Sequence, residues 1–241
     1  MGAIVVITAT AFEQEVLVAE LRDRVRQIVA GKVWHSGRLQ GRPVRLLETG
    51  IGAVNTAHTL TCLLQAEDPD LVLQVGVGGA YLEAGLALGD LVLASREVYG
   101  DFGVRTREGW QGGELIGIPL LATDEPVYNH LALDPDLLRQ AEKILQESGE
   151  KVAASGTFVT VQECSGSEEL GRQRAALFGA ICENMEGAAA AHICRLYQVP
   201  FVEVRSISNQ VEDRRREEWD LPGAIARAQR AARHLVAGLA L

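Results

Sequence analysis

Short runs of β-branched and aliphatic residues alternate along this chain with stretches in which apolar residues recur every three or four positions, the periods of buried strands and of amphipathic helices. Residues 4–8 (Ile-Val-Val-Ile-Thr) read as a first strand and residues 13–26 as a helix. Residues 33–39 and 42–48 form a hairpin about the turn Gln40-Gly41. A glycine loop at 50–52 leads into a helix over 54–64, and 71–77 and 91–98 are further buried strands. Residues 100–125 are rich in glycine and charge without a clean period, and read as a long excursion near the site. Beyond them come a helix over 134–149, a strand over 152–161, helices over 167–177 and 186–197, and a final amphipathic helix over 221–239. This alternation predicts an α/β fold, a mixed central β-sheet flanked by helices on both faces, with residues 1–241 as a single domain.

Composition narrows the partners. A chain of 241 residues that is 47% hydrophobic can bury a large core. Its net charge of −9 argues against nucleic acid and anionic membranes, both of which reward clustered positive charge. The basic run Arg214-Arg215-Arg216 is flanked by Glu212, Asp213, Glu217 and Glu218 and reads as a solvated face. Cys62, Cys164, Cys182 and Cys194 lack metal-ligand spacing and sit among apolar or small residues, which suggests buried thiols in a reducing compartment. No metal site is readable and no cofactor is implied. Without a basic leader or an apolar stretch of about 18 residues, the expectation is a soluble cytoplasmic protein.

The densest chemistry lies in Cys182-Glu183-Asn184-Met185-Glu186-Gly187-Ala188 and in the strand Pro200 to Asn209. One carboxylate heads an Ala-rich helix, and an apolar strand ends in the polar pair Ser208-Asn209. In open α/β sheets ligands sit where strands end and helices begin, so Glu186 and Asn209 are expected to converge on one small molecule.

Met185-Glu186-Gly187-Ala188 with Val204-Arg205-Ser206-Ile207-Ser208-Asn209 resembles the nucleoside phosphorylase and nucleosidase family, which cleaves purine ribosides. Four further motifs fall in the family's order: Phe12-Glu13-Gln14-Glu15-Val16, Thr49 to Asn55, Gly76-Val77-Gly78-Gly79-Ala80, and Gly89-Asp90-Leu91-Val92. Ser208-Asn209-Gln210-Val211 with Arg214 and Trp219 is similar to the futalosine-cleaving branch. That branch implies hydrolytic release of hypoxanthine from futalosine, a step of menaquinone biosynthesis.

Cleavage between ribose C1′ and a purine nitrogen needs a base for water, a clamp on the sugar and a donor to the leaving base. The resemblance assigns water activation to Glu15, with Glu13 as a rival whose side chain on a helix would point about 200° away. Glu186 is expected to take the ribose 2′ and 3′ hydroxyls, with Met185 packing under the sugar. Phe158 and Val159 match the family's base-binding place, and Gly78 and Ser208 fall at the ligand. Asn209 stands where the adenine-cleaving branch carries Asp; its two amide hydrogens suit the adjacent O6 and N7 acceptors of a 6-oxopurine. Arg214 is a candidate for the 5′ substituent. Neither Thr8 to Glu13 nor Leu73 to Gly76 holds the cations that phosphorylases of the family use, so water is the expected nucleophile. The alternatives are a methylthioadenosine/adenosylhomocysteine nucleosidase, a nucleoside phosphorylase, and a non-catalytic nucleoside-binding protein. Family habit also implies a homo-oligomer.

Overall fold

The computed structural model describes residues 3–240. Its elements are β1 (Ile4–Thr8), α1 (Glu15–Glu20), β2 (Arg22–Val29), β3 (Lys32–Leu39), β4 (Arg42–Glu48), α2 (Ala53–Leu64), β5 (Leu71–Ala80) and β6 (Leu91–Tyr99). They continue with β7 (Gly103–Thr106), β8 (Gly109–Gly112), β9 (His130–Ala132), α3 (Pro135–Glu147), β10 (Val152–Thr160), α4 (Glu168–Phe178), β11 (Ala180–Asn184), α5 (Gly187–Tyr197), β12 (Phe201–Gln210) and α6 (Leu221–Gly238).

Ten strands form one mixed sheet in the order β11-β10-β6-β12-β5-β1-β4-β3-β2, with β9 added on β6. The expected α/β architecture is the observed one. One feature goes beyond it: β11 also pairs antiparallel with β5, Cys182 opposite Ala80 and Glu183 opposite Gly79. The strands β5, β12, β6, β10 and β11 thereby close into a ring. Glycine at Gly78 permits this approach, because a Cβ there would collide with the Cys182 sulfur.

Strand alternation divides the core between the two faces. Ile4 and Val6 of β1 pack with Leu71, Leu73 and Val75 of β5 under Ala228, Ala231, Ala232 and Leu235 of α6. Val5 and Ile7 face the other way, toward Leu60 and Leu63 of α2 and Ala188, Ala190 and Ala191 of α5. The small alanines let α5 lie close on the sheet, which brings its N-terminus to the strand ends. Caps hold the helices where the sequence changes: Asp134, Ser167 and Asp220 side chains accept first-turn N–H groups of α3, α4 and α6. The β3–β4 hairpin turns at Gln40 (φ 49°) and Gly41 (φ 79°), both in the left-handed region that a two-residue hairpin turn requires.

Three expectations need correction. The helix over 13–26 is only a 3₁₀ turn (Ala11–Glu13) and the six-residue α1, after which the chain enters β2. Asp23 takes a positive φ of 53°, and Arg22–Val29 pairs along β3 as a charged, exposed edge strand. Ladder hydrogen bonds to β3 outweigh the weak helical pattern there, and the charges protect the open edge. Residues 100–125 do not approach the cavity described below; they build the β7–β8 ribbon, whose Trp110 packs edge-on against Phe178 at 5.5 Å. All four thiols are free, but only Cys182 and Cys194 are buried, and Cys62 and Cys164 are partly exposed.

Candidate active site

At the carboxyl ends of β1, β5, β11 and β12 lies a cavity of about 420 Å³, within the range of small-molecule sites. Its inner wall carries Glu13, Glu186 and Arg205, which are 4%, 3% and 2% exposed. Each reaches the cavity for a local reason. The 3₁₀ turn after β1 directs Glu13 inward, where one carboxylate oxygen accepts Thr10 N–H and Oγ1 at 2.9 Å and the other accepts Val77 N–H at 3.1 Å. Glu186 occupies the N-cap of α5; its Oε1 accepts Gly52 N–H at 3.0 Å and its Oε2 faces Arg205 Nη2 at 3.4 Å. The α5 N-terminus itself is capped by other side chains: Asn184 Oδ1 accepts the N–H groups of Glu186 and Gly187, and Thr160 Oγ1 that of Ala188.

Arg205, inside the apolar strand β12, is held by Glu203 Oε1 at Nε (2.7 Å) and by the Val77 carbonyl at Nη1 (2.8 Å). Burial works against its charge, but Glu203 and Glu186 outweigh burial and raise its pKa, so it stays a cation. For Glu13 burial prevails: it pushes the carboxyl above the usual value, opposed in part by Arg205 and Thr10. A partly desolvated carboxylate beside a fixed guanidinium, both open to a cavity, is suited to hold a water molecule and take its proton. Glu186 retains free lone pairs that suit a diol.

Six of the nine residues expected at the ligand line this cavity: Gly78, Met185, Glu186, Ser208, Asn209 and Arg214. Arg214 lies with its guanidinium 5.2 Å from the centre of the Trp219 ring, beside the exposed Phe12, Ile51 and Leu221. Three do not reach it. Glu15 opens α1 and is exposed to solvent away from the cavity, because the chain turns as 3₁₀ rather than α before it; the inward carboxylate is Glu13. Phe158 and Val159 are wholly buried in β10, packed in apolar clusters with Cys182 and Ile207 and with Tyr81 and Val161, so neither ring nor side chain meets a ligand. The loop after β10, at Cys164 and Ser165, lines the cavity in their place.

Arg205, Asn184, Glu183 and Ser165 were assigned no role from the sequence. An arginine and a glutamate inside the otherwise uncharged run Phe201–Ile207 were the available signal, since charges in a buried strand require partners. Thr10 and Glu13 also stand at capping-box spacing, which ties that glutamate back to its own turn.

Fold and cavity together define an α/β small-molecule protein with acid–base groups at the strand ends. The chain belongs to the phosphorylase superfamily, whose family model matches residues 3–240. It is 34% identical over 204 residues to the 5'-methylthioadenosine/S-adenosylhomocysteine nucleosidase of Actinobacillus succinogenes, covering 85% of this chain and 84% of that protein. It is 32% identical over 210 residues to the enzyme of the same name from Chromohalobacter salexigens, covering 87% and 85%. In fold it matches S-adenosylhomocysteine nucleosidase from Streptococcus pyogenes, in complex with 5-methylthiotubericidin, with a TM-score of 0.86 at 23% identity over 100% of this chain and 98% of that one. The 5'-methylthioadenosine/S-adenosylhomocysteine nucleosidase of Neisseria meningitidis, in complex with methylthio-immucillin-A, gives 0.86 at 22% identity over 99% and 100%.

These relatives overturn the expectation of futalosine hydrolysis with hypoxanthine release. The physical case for it also fails at Asn209. One amide hydrogen donates to the Gln210 carbonyl at 2.9 Å, and the amide oxygen accepts Ser208 Oγ at 2.8 Å. In this arrangement Asn209 offers one N–H, not the two that O6 and N7 of a 6-oxopurine would take. Among the described residues no group of acidic, histidine and cysteine side chains is arranged to hold a metal, and no helix is long and apolar enough to cross a membrane.

Proposed function

We infer that this protein is an N-ribosyl hydrolase of purine nucleosides that cleaves 5'-methylthioadenosine and S-adenosylhomocysteine, releasing adenine. The observation that carries this reading is the buried trio Glu13, Arg205 and Glu186 around one cavity, in a chain a third identical to nucleosidases of that specificity. Glu13 and Arg205 hold water between them, and Glu13 takes its proton as the oxygen attacks C1′. Glu186 accepts the ribose hydroxyls with Met185 beneath the ring. Ser208 and Asn209 face the departing base, where the remaining amide hydrogen of Asn209 stabilises the negative charge left by the breaking C1′–N bond; the departing anion takes its proton from solvent, and Glu13 returns its own to solvent. The open, apolar side of the cavity at Phe12, Ile51 and Trp219, with Arg214, takes the 5′ substituent. Arg205 commits four of its five N–H groups to Glu203, Val77, Asn184 and Glu186 and keeps one for water, too few for a bidentate grip on phosphate, which favours water as nucleophile.

The exposed Phe12 (68%) and Ile51 (58%), both lining the cavity, support a homo-oligomer, which sedimentation would detect. Four free thiols fit a reducing cytoplasm. The decisive assay is base release from methylthioadenosine, adenosylhomocysteine and inosine, each with and without phosphate. Adenine from the first two, unchanged by phosphate, is expected. Ribose 1-phosphate formation, or no adenine, would overturn the proposal.

A further inference from the structure

Behind the cavity lie two further carboxyls that take no direct part in the reaction above. Glu97 of β6 and Glu203 of β12 are 0% and 1% exposed, and both crowd the Cα of Gly187, where any Cβ would collide with their oxygens. Three described side chains donate to the pair: Asn184 Nδ2 and Thr160 Oγ1 to Glu97 at 2.7 Å each, and Arg205 Nε to Glu203 Oε1. Glu203 Oε2 is fully buried and receives no hydrogen bond from any described residue. A bare carboxylate oxygen against a second carboxylate in a buried site is untenable, and one proton resolves both problems.

We propose that Glu97 and Glu203 share one proton as a sealed acid–carboxylate pair, and that this pair is the positioning unit for Arg205 and Asn184, and through them for Glu186. The hydroxyl of Glu97 supplies the donor that Glu203 Oε2 lacks. Glu203 keeps its charge for Arg205, whose remaining nitrogens then reach Val77 and Glu186; Glu97 accepts Asn184, whose Oδ1 fixes the Glu186 N–H. Burial and the Glu203 carboxylate both push Glu97 well above the carboxylate range, with Thr160 and Arg205 opposing. The other titratable groups around it are the buried Cys182 thiol on β11 and Tyr99 on its own strand, which contacts His192 of α5 at 3.2 Å.

The kinetic part of the test rests on the hydrolase reading, whereas the spectroscopic part does not. Infrared spectra of the wild-type protein at pH 8 in H₂O and D₂O are expected to show the C=O stretch of an un-ionised carboxylic acid. Glu97→Gln should abolish it and Glu13→Gln should leave it. Glu203→Gln is expected to lower kcat roughly 10- to 100-fold, the worth of a hydrogen bond to a charged group. Glu97→Gln, uncharged like the acid it replaces, should stay within about threefold and lose the alkaline limb of the pH profile. No such band in the wild type overturns the pair, whether or not the variants fold or a nucleoside is cleaved. A band that survives both substitutions, or an unchanged kcat in Glu203→Gln, does so equally.

Discussion

Among the described residues two arginine–carboxylate clusters are buried, and they differ in what they leave unused. Glu183 of β11 accepts four hydrogen bonds, from Tyr81 Oη (3.0 Å), Ser165 N–H (2.8 Å), Ser165 Oγ (2.6 Å) and Arg174 Nη1 (3.3 Å). Arg174 in turn donates to Glu163 O and Ser165 Oγ, so the loop after β10 is tied to α4 and β11. Burial and the neighbouring Glu183 raise the Tyr81 pKa well above its ordinary value, which keeps that hydroxyl a donor. Three residues downstream, Glu186 accepts one backbone N–H and one long guanidinium contact, and its remaining lone pairs face open space. A saturated cluster braces a wall; an unsaturated one binds something. Burial and charge alone would not have separated them, since both are nearly solvent-free.

The largest expected effect breaks the unsaturated cluster. Glu13→Gln should lower kcat/KM by roughly 10² to 10⁴, the usual worth of a positioned general base, with the fold intact by circular dichroism. In the saturated cluster the loss should appear in stability. Glu183→Leu strands the Arg174 charge in the interior and should cost about 3–5 kcal/mol in urea unfolding.

Asn209→Asp sharpens the contrast from the base side. It supplies a carboxyl that can protonate the leaving adenine, and should raise turnover of methylthioadenosine by about 10² if base departure limits the rate. An unchanged rate would mean that leaving-group protonation is not limiting here.

Acid titration provides a fourth test. Because burial raises Glu13 above its ordinary value of 4.5, activity should fall on the acid side at a pH above that value as the base takes up its proton. Stability follows the same group. A folded pKa above the unfolded one favours the fold fully below the unfolded value, and that contribution is lost as pH rises through the folded one. Glu13→Gln should thus be more stable than the wild type at neutral pH, and the difference should shrink on acidification. Differential scanning calorimetry at several pH values would detect it.

The smallest effect is expected at Glu15. Exposed at the start of α1, Glu15→Gln should change kcat by less than about twofold, as surface substitutions away from a site usually do. A large loss there would restore it as the base and remove Glu13 from the mechanism.

Local pattern alone determined much of this protein. The continuous apolar run of β1, the Gln40-Gly41 turn, the caps at Asp134 and Ser167, and Glu186 at the head of an Ala-rich helix are all readable, because each depends on residues within one turn or one strand pairing. Tertiary structure decided the rest. Whether Glu13 or Glu15 faces inward depends on a 3₁₀ turn and on an N–H from Val77, 64 residues away. Phe158 is core rather than base platform because β11 closes the ring over it, a pairing made possible by Gly78. Arg205 acquires its role only when β5, β11 and β12 bring Val77, Asn184, Glu186 and Glu203 around it. The partners that satisfy a buried charge lie far along the chain, and no local periodicity encodes which of them will arrive.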